Sequence, residues 1–244
     1  MVFNESISVI IPAYNDAEVI EQSVCEVLTK ISLLFGKFEL ILIDDGSSDL
    51  TKNIIKRLSH EYPEHIRTIY HEKNLGVGRG IKHGINKASM TYVMTNFSDL
   101  PFDIDDLKYI MPLMHEQHAD GCVVVRANRE AHTFFRKVTS LVNYIIIKVL
   151  FRVPFDDFQF VQLYKRDLVL QLKIDARDVF VPPEIIIKLH DSGANLIQYK
   201  TTFHARKAGK SKYYKLKYFI HTFLDQLRFF IKIRLLNKHD QKKL

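Results

Sequence analysis

The sequence predicts an α/β protein with a mostly parallel sheet flanked by helices. Three observations predict it. Short apolar runs alternate with amphipathic segments of helical period, the pattern of successive βα units. Clusters rich in Asp, Asn, Ser and Gly follow the apolar runs directly, as loops at the carboxyl ends of strands do. A chain of 244 residues with 47% hydrophobic content suffices for one large α/β domain.

The elements read in order. Ile7–Ile11 is a first strand, and Ala17–Ser32 puts Val19, Ile20, Val24, Val27, Leu28 and Ile31 on one helical face. Phe38–Ile43 is a second strand ending in Asp44-Asp45-Gly46-Ser47-Ser48-Asp49, with Asp49 placed to cap a helix over Leu50–Tyr62. Ile66–His71 is a third strand, Gly76–Lys87 a helix opened by glycine, and Tyr92–Thr95 a fourth strand. A helix over Leu107–Gln117 and a strand over Gly121–Arg126 follow. Phe134–Phe151 is apolar with a sparse polar row at Lys137, Ser140 and Lys148, then Arg152. After a connection through Phe155–Arg166 come a helix, Pro182–Ser192, and a short strand, Asn195–Tyr199. Residues 216–236 set Leu216, Phe219, Ile220, Phe223, Leu224, Leu227, Phe230 and Ile231 on one stripe, with Lys217, His221, Asp225, Arg228 and Lys232 opposite. The expected organisation is a catalytic domain over residues 1–212 and a basic amphipathic C-terminal helix over 213–244.

Charge is unevenly placed. Residues 200–244 carry 13 Lys and Arg against two acids, a local +11 within a chain of net +7, which leaves the first 199 residues at −4. A basic tail on an acidic body suits an anionic surface or ligand. The continuous apolar stripe beside the charge points to a membrane interface, and no nucleic-acid module is recognisable. Cys25 and Cys122 lie in apolar stretches, which excludes a disulfide framework and suits a reducing compartment. No secretory leader and no run of about 18 uncharged apolar residues is present, so a cytoplasmic protein without a transmembrane helix is expected. Gly76-Val77-Gly78-Arg79-Gly80 lacks the full dinucleotide fingerprint and follows the third strand instead of the first. His115 and His118 lack the His-Glu-x-x-His spacing of a zinc helix.

Three ordered motifs resemble the family-2 glycosyltransferases of GT-A fold, a Rossmann-like architecture. They are Ser8-Val9-Ile10-Ile11-Pro12-Ala13-Tyr14-Asn15, then Leu42-Ile43-Asp44-Asp45-Gly46-Ser47-Ser48-Asp49, then Asn74-Leu75-Gly76 with Gly80, Gly84 and Ala88. The resemblance runs over roughly residues 6–212 and is nearest to transferases acting on dolichyl or polyprenyl phosphates. It implies a GDP- or UDP-sugar donor held by Pro12, Ala13, Tyr14, Asn15, Asp16, Asp44, Asp45, Gly46, Asn74 and Gly76. Pro12, Ala13 and Tyr14 would wall the base, Asp16 and Asp44 would meet base or ribose groups, and Asp45 would orient the loop.

The family's Asp-x-Asp metal motif falls at Phe97-Ser98-Asp99, with Pro101 where Gln is common. Only Asp99 keeps its carboxylate, as a single ligand for Mg²⁺ or Mn²⁺ alongside phosphate and water. Arg126 and Arg136 match arginines that meet acceptor phosphate, a task suited to a paired-donor guanidinium. Asp156 or Asp157 stands where the family carries an acid, a general base for a hydroxyl acceptor but superfluous for an ionised phosphate. His204-x-Arg206-Lys207-x-Gly209-Lys210-Ser211-Lys212 resembles a late basic loop of polyprenyl-phosphate transferases, with Arg206 and Lys210 stabilising the departing diphosphate and Ser211 and Lys212 beside them. Glu184 resembles an acid on the helix bordering that loop. The implied reaction is an inverting sugar transfer to polyprenyl phosphate at the inner face of a membrane. Transfer to a sugar hydroxyl and a non-catalytic sugar-nucleotide module are the alternatives.

Overall fold

A computed structural model describes residues 2–127, 134–176, 178–202, 223–224 and 226–236. Seven strands form one sheet: β1 (Phe3–Ala13), β2 (Phe35–Asp44), β3 (Ile66–Tyr70), β4 (Tyr92–Thr95), β5 (Gly121–Arg126), β6 (Gln162–Lys165) and β7 (Leu196–Thr201). Their spatial order is β3-β2-β1-β4-β6-β5-β7. All pairings are parallel except the two made by β6.

The inner parallel strands β1, β2 and β4, with β5, are buried on both faces over most of their length, which is why they read as apolar runs, whereas the edge strands β3 and β7 are partly exposed and mixed. Ile7, Val9, Ile11, Leu40 and Leu42 face one core. Helices α1 (Ile20–Leu34), α2 (Thr51–Glu61) and α4 (Leu107–Glu116) lie in that layer. Ile10, Ile41 and Ile43 face the other core, covered by α3 (Val77–Lys87), α5 (Phe134–Phe151), α6 (Arg166–Leu170) and α7 (Val181–Asp191). The period-2 alternation sorts adjacent isoleucines and leucines to opposite layers.

Several boundaries differ from the sequence reading. β1 begins at Phe3, and α1 begins at Ile20 after a turn. The stretch 155–166, read as a connection, contains β6, whose four residues give too short a period for a strand pattern to register. Helix α2 starts at Thr51 with Leu50 as its cap, yet Asp49 Oδ1 still accepts the Thr51 N–H at 2.9 Å.

The described C-terminal residues dock on the body. Phe229 and Phe230 pack on Phe151 with ring centroids 5.4 and 5.9 Å apart, and Phe180 closes the cluster at 5.4 Å from Phe229. Gln226 hydrogen-bonds Asn143 of α5, so the two helices run beside each other. No helix among the described residues is long and apolar enough to cross a membrane.

Candidate active site

Parallel strands send their carboxyl ends to one edge of the sheet. Ala13 pairs with Asp44 and Asp44 with Tyr70, so the ends of β1, β2 and β3 form one row. β4 stops at Thr95, and antiparallel β6 enters beside it through Gln162, which also pairs with Val123 of β5. Every motif singled out in the first half of the chain follows one of these ends.

The first loop is tightly tied. Asn15 adopts φ 50°, its N–H donates to Ser47 Oγ at 3.0 Å, and its Oδ1 accepts the Ser48 N–H at 2.8 Å. Asp16 Oδ2 accepts the Tyr14 N–H at 3.1 Å and the Ser98 hydroxyl at 2.6 Å, which binds this loop to the one after β4. Gly80 of α3 lies against Pro12, where an added Cβ would sit 3.4 Å from the proline Cβ.

Asp44 and Asp45 are both buried, with opposite surroundings. Asp45 accepts the N–H groups of Leu75 and Gly76 at 2.9 Å each and meets His71 Nδ1 at 2.7 Å. It therefore fastens the Asn74-Leu75-Gly76 loop to β2. Gly46 between them and the loop has φ 70°, and a Cβ there would lie 2.5 Å from the Lys73 carbonyl carbon. Asp44 is fully buried; its Oδ1 accepts the Ser47 N–H at 3.2 Å, and its Oδ2 has no hydrogen-bond partner among the described residues. Thr95 Oγ1, at the end of β4, is likewise buried without a partner. Buried orphans of this kind cost about 1–3 kcal/mol each, which a bound N–H or O–H would offset.

Asp99 lies half-buried in the loop after β4, following the buried Asn96 and the half-buried Phe97. Of the acids that follow, Asp103 pairs with Lys30 at 2.7 Å, and Asp106 accepts the Thr201 hydroxyl. No group of three or more His, Cys, Asp or Glu side chains among the described residues could hold a metal unaided. The donor set fits a divalent cation that takes one carboxylate here and its remaining oxygens from a diphosphate and water. His115 is a surface partner of Glu5 at 2.6 Å.

At the other end of the edge, Arg126 closes β5. Its Nε and Nη2 donate to Asp157 Oδ2 and Oδ1 at 2.7 and 3.2 Å, a two-pronged pair, and its guanidinium lies 5.4 Å from the Phe160 ring. Asp157 is buried and also accepts the Gln159 N–H. Asp156 points away from this pair: it accepts from Lys148 at 3.0 Å, from Tyr144 and from Gln198 of β7. The Lys148 ammonium holds its carboxyl below the usual carboxylate range. Thus the two adjacent acids, equivalent in sequence, separate into an arginine orienter and a surface anchor.

The loop between α6 and α7 covers the start of α3. Glu184, fully buried, accepts the N–H groups of Asp175 and Ala176 at 2.9 and 2.6 Å and the Lys188 ammonium at 2.6 Å. Lys82 of α3 donates to the Ile174 carbonyl at 2.6 Å, and Gly78 comes so near that a Cβ would lie 2.1 Å from the Asp178 carbonyl oxygen. Arg206, Lys210, Ser211 and Lys212 lie outside the described residues, as does the side chain of Arg136. The sequence reading missed His71 and His83, whose Nε2 and Nδ1 are 2.8 Å apart. One ends a strand and the other sits inside a helix, so no local spacing announces them.

Residues 8–172 match the sequence description of glycosyl transferase family 2. The chain belongs to glycosyl transferase family 2. An undecaprenyl-phosphate 4-deoxy-4-formamido-L-arabinose transferase of Photorhabdus laumondii is 28% identical over 214 residues, 87% of this chain and 64% of that protein. The protein of the same name from Proteus mirabilis is 27% identical over 86% of this chain and 64% of its own length. The chain thus spans less than two thirds of these relatives. Among solved structures, a Mycobacterium tuberculosis glucosyl-3-phosphoglycerate synthase in complex with Mn²⁺, UDP and phosphoglyceric acid superposes with TM-score 0.68 at 21% identity, covering 91% of this chain and 78% of the other. A Pyrobaculum calidifontis mannosyltransferase in complex with GDP-Man and Mn²⁺ gives TM-score 0.63 at 16% identity, covering 93% and 65%. At that identity the likeness establishes the GT-A fold, and this family-2 chain shares it.

Proposed function

We propose that this family-2 glycosyltransferase moves a sugar from a nucleoside diphosphate to a polyprenyl phosphate at a membrane surface. One observation carries the choice of acceptor: both acids available as a general base are already tied. Asp157 is clasped by Arg126, and Asp156 is held by Lys148 and Gln198. A sugar hydroxyl needs a base to take its proton, whereas a phosphate monoester oxygen is already anionic. Arg126, oriented by its two-pronged pair with Asp157, is the guanidinium at this end of the sheet edge suited to meet such a phosphate. The names of the relatives, undecaprenyl-phosphate transferases, support the same acceptor.

In this reading Asp44 Oδ2 receives an N–H or O–H of the nucleoside, and Pro12 to Tyr14 wall the base. The acceptor oxygen attacks the anomeric carbon, the bond to the diphosphate oxygen breaks, and the diphosphate leaves with the electron pair. Configuration inverts, and no proton changes hands. Asp99 would hold a divalent cation, which supplies charge neutralisation to the departing diphosphate. Arg206 and Lys210 are proposed to add positive charge at the same place.

The membrane part rests on two matching stripes. Leu141, Val142, Ile145 and Val149 of α5 are exposed, Val149 to 67%, and so are Phe223, Leu224, Leu227 and Ile231 of the neighbouring C-terminal helix. Both sets have the spacing i, i+1, i+4, i+8, so each lines one helix face. Two adjacent apolar stripes beside a basic tail over 213–244 suit the interfacial zone of an anionic bilayer.

The test is transfer by the purified protein, in vesicles with Mg²⁺ or Mn²⁺, from a panel of UDP- and GDP-sugars. Formation of a polyprenyl phosphosugar is expected; transfer only to free sugar hydroxyls would overturn the acceptor, and no transfer from any donor would favour a non-catalytic sugar-nucleotide module.

A further inference from the structure

We infer that Asp45, His71 and His83 form a proton-sharing brace behind the donor pocket, in which the two histidines are positioning residues for nucleotide binding. The inference rests on the donor site proposed above.

Three elements meet in this brace. Asp45 begins the loop after β2, His71 follows β3, and His83 lies inside α3. Asp45 and His71 have side chains only 5% exposed, and the chain of contacts runs Asp45 Oδ1 to His71 Nδ1 at 2.7 Å, then His71 Nε2 to His83 Nδ1 at 2.8 Å. The imidazole rings meet edge to face at 87°. Asp45 also receives the N–H groups of Leu75 and Gly76, and Gly76 is the residue from which α3 starts. The helix is therefore held twice: at its origin through Asp45, and about two turns later through His83.

Hydrogen-bond logic fixes the protons. A carboxylate only accepts, so His71 must present Nδ1–H to Asp45, which leaves its Nε2 as a lone pair. His83 must then present Nδ1–H to that lone pair. Both rings are forced into the Nδ1–H tautomer, the minority form of free imidazole in water. One added proton is accommodated on either ring, because each contact keeps one N–H. A second would set N–H against N–H between the rings. The charged and titratable groups facing His83 are His71, Lys82, Arg79 and Asp45, and burial with the first three pushes its ring below the usual imidazole range.

The experiment has two arms on the intact chain. In ¹⁵N-histidine spectra, His71 and His83 are expected as Nδ1–H tautomers at neutral pH. An Nε2–H tautomer at either ring would overturn the brace. In the second arm, UDP and GDP are titrated calorimetrically. H83A and H71N each cut the ring-to-ring link and are expected to weaken nucleotide binding about fivefold to tenfold, with a melting temperature lowered by only a few degrees. The double variant should be no weaker than either single one, since both remove the same link. H83N, whose amide stands where Nδ1 stood, should recover most of the affinity and controls for folding. Wild-type affinity in H83A would sink the positioning role alone; failure of the wild type to bind either nucleotide would sink the donor-site reading and this inference with it.

Discussion

Asp44 and Asp45 are chemically identical neighbours that the strand end sends to different tasks. Asp45 has its acceptor capacity filled by two backbone N–H groups and a histidine, so it is structural. Asp44 keeps one buried oxygen without a partner among the described residues, so it is available to a ligand. Asp44→Asn is expected to weaken nucleoside diphosphate binding about tenfold or more in calorimetry while leaving folding intact, in line with a lost charge-assisted hydrogen bond of about 1.5–3 kcal/mol. Asp157→Asn should act differently: it leaves nucleotide affinity unchanged, lowers transfer, and costs about 2–3 kcal/mol in denaturant unfolding, below the usual figure for breaking a buried pair because Arg126 is partly exposed. At the cation site proposed for Asp99, one carboxylate predicts weak Mn²⁺ retention by the protein alone and strong retention with UDP or GDP, both read by electron paramagnetic resonance and lost in Asp99→Asn. The Asp44-Asp45-Gly46 motif was legible in the sequence because a polar cluster follows an apolar run. The division of labour within it was not, since partners such as His71 and Leu75 come from 26 and 30 residues away.

At the scale of elements, α3 is the part most exposed to damage from small changes. It lies against Pro12 at Gly80, and it meets Ile10 at Gly84 and the loop before α7 at Gly78, the last two contacts permitted by a missing Cβ. Gly78→Ala would set a methyl group 2.1 Å from the Asp178 carbonyl oxygen. It should lower stability by about 1–3 kcal/mol in denaturant unfolding, the range for overpacking, and weaken nucleotide binding by displacing the helix. The glycine spacing was visible in the sequence, and its packing reason only in the structure. Conversely β6 left no pattern: four residues wedged antiparallel between β4 and β5 are recognised by pairing, not by period. Surface ion pairs contribute to acid sensitivity. The Lys165 and Lys148 ammonium groups hold Asp120 and Asp156 below their ordinary value of 3.8. Folded values below unfolded ones mean that this stability is present above about pH 4 and lost as pH falls through the folded values. The melting temperature should be flat down to about pH 5 and fall below about pH 4, modestly, since these pairs are partly exposed.

The whole molecule joins a polar edge to an apolar flank. The order of parallel strands gathers the motif loops at one edge, and α5 leads from beyond Arg126 back to Asp156 and Asp157, which gives that end, proposed to receive the acceptor, a flank with its apolar stripe exposed. Replacing Val149 and Leu227 with Asp should reduce flotation with anionic vesicles about tenfold while leaving nucleotide binding unchanged, because both side chains are exposed. The amphipathic period of both helices was readable in the sequence; that they lie side by side was not, because it depends on the Phe151, Phe180, Phe229 and Phe230 cluster. The account turns on where the donor sits. A structure soaked with UDP or GDP and Mn²⁺ tests it most directly. The account predicts the nucleoside hydrogen-bonded to Asp44 Oδ2, the diphosphate reaching a cation on Asp99, and Asp45 still clasped by Leu75, Gly76 and His71. A nucleotide bound elsewhere, or one that leaves Asp44 Oδ2 without a partner, would contradict it.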